Sequence, residues 1–221
     1  DGIEWVKTYP TGDAAAPDVN DHHTLCMTFD EMYAVVQTAH NHGLKVTGHC
    51  RATEGIKNAL RAGYDTLEHA TFMDDEAMDL LLARDVPVVP ALYFEKASVI
   101  HGPEFGLSQR VIDGHQETLD GGAASALRIL RAGGRVGMGG DYGFGWNPHG
   151  DYAKELTYFT KEVGFTPSRP SGAPPKPEPK SWGAVMNSER SKRANLRTSS
   201  SSMVMSSRIS PYSRIGVTFS R

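Results

Sequence analysis

The chain has 221 residues, a formal charge of −3 and 39% hydrophobic residues, enough for one or two domains with a real core. It contains no apolar run of membrane-spanning length and opens on no signal-peptide pattern, and its two cysteines, Cys26 and Cys50, exclude a disulfide framework. These features predict a cytoplasmic protein without a membrane partner. Because the first residue is Asp1 rather than methionine, the natural N-terminus is expected to lie upstream.

Short apolar runs alternate with helical periods from the start. IEWVKTYP (3–10) is rich in β-branched and aromatic residues and predicts a strand. FDEMYAVVQTAHNHG (29–43) has helical spacing and a glycine stop. LKVTGH (44–49) predicts a strand and TEGIKNALRAG (53–63) a helix closed by Gly63. YDTLEH (64–69) is the next strand, followed by a helix over 74–85 with acids in its first turn. VPVVPAL (86–92) predicts a strand, and an irregular loop is expected from there to about Asp113. A helix over 115–134, a strand over 135–141 and a helix over 151–164 complete the series.

Strands joined by helical crossovers imply a parallel α/β sheet, either doubly wound or part of a (β/α)8 barrel. No glycine-rich phosphate loop follows the first strand, which argues against a nucleotide-binding sheet. In parallel α/β folds the functional groups sit at the C-terminal ends of strands. Those positions are Lys7, His49, His69 and Asp141. Singly, each has an ordinary role: a satisfied buried histidine, a snorkelling lysine, a turn-forming aspartate. Together on one rim, two imidazoles and a carboxylate form a ligand set suited to zinc or a similar divalent ion.

The run VTGHCRATEGIKNALRAGYDTLEHATFMDDEAMDLLLARDVPVVPAL, with the later RVGMGGDYG, resembles the amidohydrolase superfamily, nearest its imidazolonepropionase/prolidase-like branch of metal-dependent hydrolases. The resemblance covers about residues 1–165 and implies a partial (β/α)8 TIM-type barrel, strands 4 to 8. It implies one or two divalent metals, with Zn2+ the first expectation. Lys7, in WVKTYPTG, takes the place of a lysine carboxylated by CO2 that bridges two ions; His49 and His69 would hold the second ion. Asp141 would ligate the first and serve as the catalytic proton acceptor and donor. NPHGDYAKEL (147–156) resembles the family segment after the last strand, making His149 a substrate-binding candidate; His115, flanking the long loop after the fourth strand, and Tyr142, at the start of the segment after Asp141, are substrate-binding candidates by position. The implied reaction is hydrolysis of a C–N bond in an amide, urea, carbamate or dipeptide. A small-molecule substrate is expected, and homo-oligomers are compatible with the pattern.

Two departures accompany the resemblance. The family's HxH pair on its first strand has no counterpart here, and GGD replaces the GTD context around Asp141. An inactive fragment of such an enzyme is therefore the alternative expectation. Of the remaining histidines, His22 and His23 lie in a polar loop as a candidate pocket lip, and His40 and His42 lie at a helix end, where the dipole favours them. Cys50, beside His49, is expected to be a small buried residue.

Composition breaks sharply near residue 165. Residues 1–165 carry 13 Lys+Arg against 24 Asp+Glu, whereas 166–221 carry 10 against 2, with 14 serines and no histidine. Composition predicts a disordered basic Ser/Pro-rich tail. Read in a displaced codon frame, 168–209 can decode to family-like text, and the pairs Trp182-Gly183, Met186-Asn187 and Met203-Val204 force Gly, Glu and Gly where that text requires them. The tail is accordingly expected to be out of frame. Nucleic-acid binding by its clustered basic residues is the rival from another class, weakened by their lack of interleaved aromatics.

Overall fold

A computed structural model describes residues 2–165. The expectations for the tail, 166–221, lie outside the described residues. Within them the order is β1 (Trp5–Thr8), α1 (Phe29–Asn41), β2 (Lys45–Cys50), α2 (Thr53–Ala62), β3 (Thr66–His69), α3 (Asp75–Arg84), β4 (Val88–Val89), α4 (Leu92–His101), α5 (Gln109–Arg131) and α6 (Ala153–Lys161). The four strands are parallel in the order β1-β2-β3-β4. Each is joined to the next through a helix, the connection that parallel pairing requires.

Local chemistry sets the boundaries. Thr28 and Glu31 form a reciprocal capping box at the start of α1. Asp74 caps α3 through Ala77 N, and Ser108 caps α5 through Val111 N. Gly63 closes α2 at φ +113°, where a side chain would be strained. On one sheet face Val46, Cys50, Leu67 and Val88 pack with Met32, Val36, Ile56, Leu60 and Leu81 of the helices. Gly48 belongs to that face as well: a Cβ there would lie 2.6 Å from the Tyr64 ring. Across the other face Lys7 pairs with Glu68, and Thr47 donates to the same carboxylate at 3.4 Å. This is the face on which the candidate site forms.

Three expectations are corrected. The segment after Leu92 is not an irregular loop but α4, a short 3₁₀ turn (Gly102–Phe105) and the start of α5. Its helical period is masked because α4 buries Glu95 and Ser98 alongside Leu92, Phe94 and Ala97. The strand expected over 86–92 contracts to Val88–Val89, since Pro87 and Pro90 flank it and lack N–H donors. The strand expected over 135–141 is a single parallel bridge, Val136 to Val88, with Gly137 N donating to Val88 O at 2.7 Å. Gly137, Gly139 and Gly140 supply no side chains to stabilise a longer one.

Candidate active site

The rim at the C-terminal strand ends is built around His49 and His69. Their registers adjoin, with His49 opposite Glu68 and Cys50 opposite His69. Strict alternation would send His69 to the same side as Leu67. Instead His69 adopts φ +67° and Ala70 φ +46°, left-handed conformations that are costly for non-glycine residues. The twist turns the imidazole back, and the two rings meet edge to face with centroids 4.4 Å apart. His69 Nδ1–H donates to Pro90 O at 3.3 Å. Its Nε2 is buried without a hydrogen-bond partner and lies 3.6 Å from Asp141 Oδ2.

Both imidazoles are held neutral. Burial, reinforced by the Arg51 guanidinium, lowers His49 to about 4. Burial, with Arg51 and His49 added, takes His69 well below its ordinary value. Asp141 is raised above the usual carboxylate range, chiefly by burial and despite the nearby cations Lys7 and Arg51. Neutral imidazoles and a carboxylate are the protonation states that ligation needs.

These contacts decide which of the four residues could hold a metal. His69 fits directly, because a buried nitrogen aimed at a carboxylate with no donor between them is a lone pair awaiting an electrophile. His49 sits in the right place with Nε2 engaged, 3.2 Å from both Gly12 O and Asp13 Oδ2, and Tyr9 stacks on it at 4.1 Å. Lys7 reaches the same face, yet its Nζ is 2.5 Å from Glu68 Oε2 and its side chain is half exposed. Asn147 steadies the last segment, its Nδ2 donating to Asp141 O at 2.6 Å.

The three substrate candidates are placed differently. Tyr142 is half-buried and meets Tyr152 edge to face, whereas His149 is exposed beside Gly143. His115 lies in a helix, as expected, within α5; it is fully buried, its Nδ1 contacts Glu95 Oε2 at 2.6 Å and its Nε2 has no hydrogen-bond partner. Cys50 is buried in the helix-side core, as expected.

Sequence reasoning missed the charged frame behind the rim. Arg51, 1% exposed, bonds Asp13 Oδ2 at 2.9 Å and Glu95 Oε1 at 2.6 Å. Asp13 in turn contacts His49, so α4 is linked to a rim histidine through three side chains. Burial is the largest influence and acts to raise both carboxyls, but Arg51 together with the Ala15 amide and His49 at Asp13, and with His115 at Glu95, outweighs it and holds both below the usual range. Glu155, also missed, is buried and accepts from Leu92 N at 3.0 Å and Tyr93 N at 2.7 Å. Burial raises it to about 7. An Arg in a GHCR run and a Glu in a helix interior carry no signal of burial on their own.

Comparison with known proteins bears on the family and the fold. The amidohydrolase family model matches residues 3–169. An uncharacterised protein of Mycobacterium bovis is 32% identical over 91 residues, covering 41% of this chain and 24% of its own length. Ochratoxinase of Aspergillus niger is 24% identical over 177 residues, covering 75% and 33%. Among solved structures, a prolidase-like protein of Bifidobacterium longum superposes with a TM-score of 0.66 at 25% identity, covering 75% of this chain and 41% of that one. A Xaa-Pro dipeptidase with bound methionine gives 0.65 at 27% identity, covering 74% and 40%. The chain thus spans a quarter to two-fifths of the length of these relatives, and its parallel α/β layout is that of a segment of the (β/α)8 barrel. The chain belongs to the amidohydrolase family.

Proposed function

We propose that Lys7, His49, His69 and Asp141 are this chain's ligands for one or two divalent ions, zinc foremost, in a hydrolase that cleaves the C–N bond of a small amide or dipeptide. The observation that carries the reading is the buried, unpartnered Nε2 of His69 facing the Asp141 carboxylate at 3.6 Å. When bound, such an ion polarises a carbonyl and brings its water towards neutral pKa. The residues do the rest. Burial holds both imidazoles neutral rather than cationic; His69 presents its unpartnered Nε2 at the rim, whereas His49 Nε2 would have to leave Gly12 O and Asp13 to do the same. Asp141, raised by burial and half-exposed, suits a group that takes a proton from the attacking water and returns it to the departing nitrogen. Tyr142 and His149, in the segment after Asp141, would contact the substrate, and His115 would act from behind the wall. Lys7 would serve as a CO2-modified bridge once its amine leaves Glu68.

The relatives narrow the assay. A Xaa-Pro dipeptidase and an ochratoxinase among them support a panel of Xaa-Pro dipeptides, ochratoxin and simple amides. The protein should hydrolyse at least one class with added Zn2+, lose that activity to chelator and regain it on restoring metal. Metal-independent turnover, or metal binding unchanged by Asp141→Asn, would overturn the reading.

A further inference from the structure

We infer that His22, His23 and Glu117 form a second divalent-metal site, separate from the rim of His49, His69 and Asp141, that fastens the β1–α1 loop to α5. The two histidines are adjacent in sequence, and in an extended chain their side chains would diverge. Here Asp21 folds the loop under them: His23 N and Thr24 Oγ1 both donate to Asp21 Oδ1 at 2.9 Å. The imidazoles then converge, with centroids 4.4 Å apart. His22 Nε2 lies 3.1 Å from Glu117 Oε2, and His23 Nε2 lies 2.9 Å from Glu117 Oε1. One ligand atom from each of the three residues falls within 4.8 Å of the others.

Those separations are near what a metal needs. Bonds of about 2.0 Å in a tetrahedral arrangement place ligand atoms roughly 3.3 Å apart, so the ion would enter with small side-chain motion. The chemistry also matches, since two imidazoles and one carboxylate form a borderline-soft set suited to zinc, cobalt or nickel. The site is built rather than incidental. Phe72 stacks on His23 at 4.7 Å and lies 5.8 Å from His22, restricting both rings. Gly114 of α5 makes the approach possible, because a Cβ there would sit 3.3 Å from His22 Cε1 and 3.2 Å from Ala14 Cβ. His22 is buried, whereas His23 and Glu117 are half exposed. That leaves an entry path and room for water as a fourth ligand.

The consequence reaches the rim. The tethered loop also carries Asp13, which contacts His49 and Arg51. An ion at His22, His23 and Glu117 would therefore hold the wall of the candidate active site in place without touching its ligands.

The full chain, stripped of metal, should be titrated with Zn2+ by equilibrium dialysis, with and without Glu117→Gln or His23→Ala. The same pair of substitutions is repeated in an Asp141→Asn background. Both surface substitutions should remove one class of bound zinc, or weaken it more than about 10-fold, in both backgrounds. Zinc should also protect the segment 11–27 from proteolysis in the Asp141→Asn protein but not in Asp141→Asn/Glu117→Gln. Far-UV circular dichroism checks that the half-exposed positions leave the fold unchanged. Equal zinc binding with and without Glu117→Gln overturns the inference, as does a loss confined to the background with Asp141 intact. If Asp141→Asn leaves zinc binding untouched while Glu117→Gln abolishes it, the proposed catalytic centre fails and the second site stands.

Discussion

His69 Nε2 faces Asp141 Oδ2 across 3.6 Å, with no hydrogen bond to occupy the nitrogen. A buried imidazole nitrogen left unpaired costs about 1–3 kcal/mol, and the left-handed backbone at His69 and Ala70 adds strain of similar order. Stability alone does not account for such an arrangement, and the proposed metal would use that lone pair. Asp141→Asn should reduce zinc affinity at the rim by more than about 10-fold while shifting metal-free stability little, since its side chain is 34% exposed. Dialysis combined with urea unfolding separates the two effects. A stability loss without a metal effect would count against the centre.

Lys7 is expected to carry CO2 only after leaving Glu68. Glu68→Gln removes the anionic partner 2.5 Å from Nζ and should increase carboxylation of Lys7 when zinc is present. Carbon-13 NMR with labelled bicarbonate would show a carbamate resonance that disappears in Lys7→Ala. Absence of that resonance in Glu68→Gln with zinc would remove Lys7 from the bridging role.

The frame behind the rim makes a stability prediction. Glu95 accepts from Arg51 at 2.6 Å and from Thr118 at 2.8 Å, and its Oε2 lies 2.6 Å from His115 Nδ1, with all four residues buried. Removing one member of a buried charged set leaves the others uncompensated, at about 3–5 kcal/mol. Glu95→Ala should cost that much in urea unfolding. It should also weaken zinc binding at the rim, because Arg51 and Asp13 lose the anchor that steadies His49. A cost below about 1 kcal/mol would mean that Arg51 and His115 find other partners.

The strand-end histidines were legible in the sequence because parallel strands carry a simple code: an apolar run, then the functional residue. The core side of β2 and β3 follows from the same alternation. Asp13, Arg51, Glu95 and Glu155 were not legible. Asp13, Arg51 and Glu95 meet one another, and Glu155 meets the start of α4, across long sequence separations, and a charged residue reads as solvent-facing unless its partner is known. That masking also hid α4, where Glu95 and Ser98 turn inward to Arg51 and to Trp146, whose Nε1–H donates to Ser98 Oγ at 2.9 Å. The glycines before Asp141 misled in the opposite direction. They look like a strand ending on a ligand, yet only Val136 makes the bridge.

Glu155 sets a pH dependence with a definite sign. Burial raises its carboxyl to about 7, against the opposing bonds from Tyr93 N and Leu92 N. The folded protein therefore holds a proton that the unfolded chain, titrating near 4.5, has released. The contribution to stability is fully present below about pH 4.5 and is lost as pH rises through about 7, by at most about 3 kcal/mol. In metal-free protein, wild type should lose stability between about pH 5 and pH 8 more steeply than Glu155→Gln, whose amide does not titrate. Urea midpoints across that range measure the difference directly, and Asp141, raised in both proteins, cancels from it. Parallel profiles would show that Glu155 stays ionised throughout, held by the two backbone amides at the start of α4.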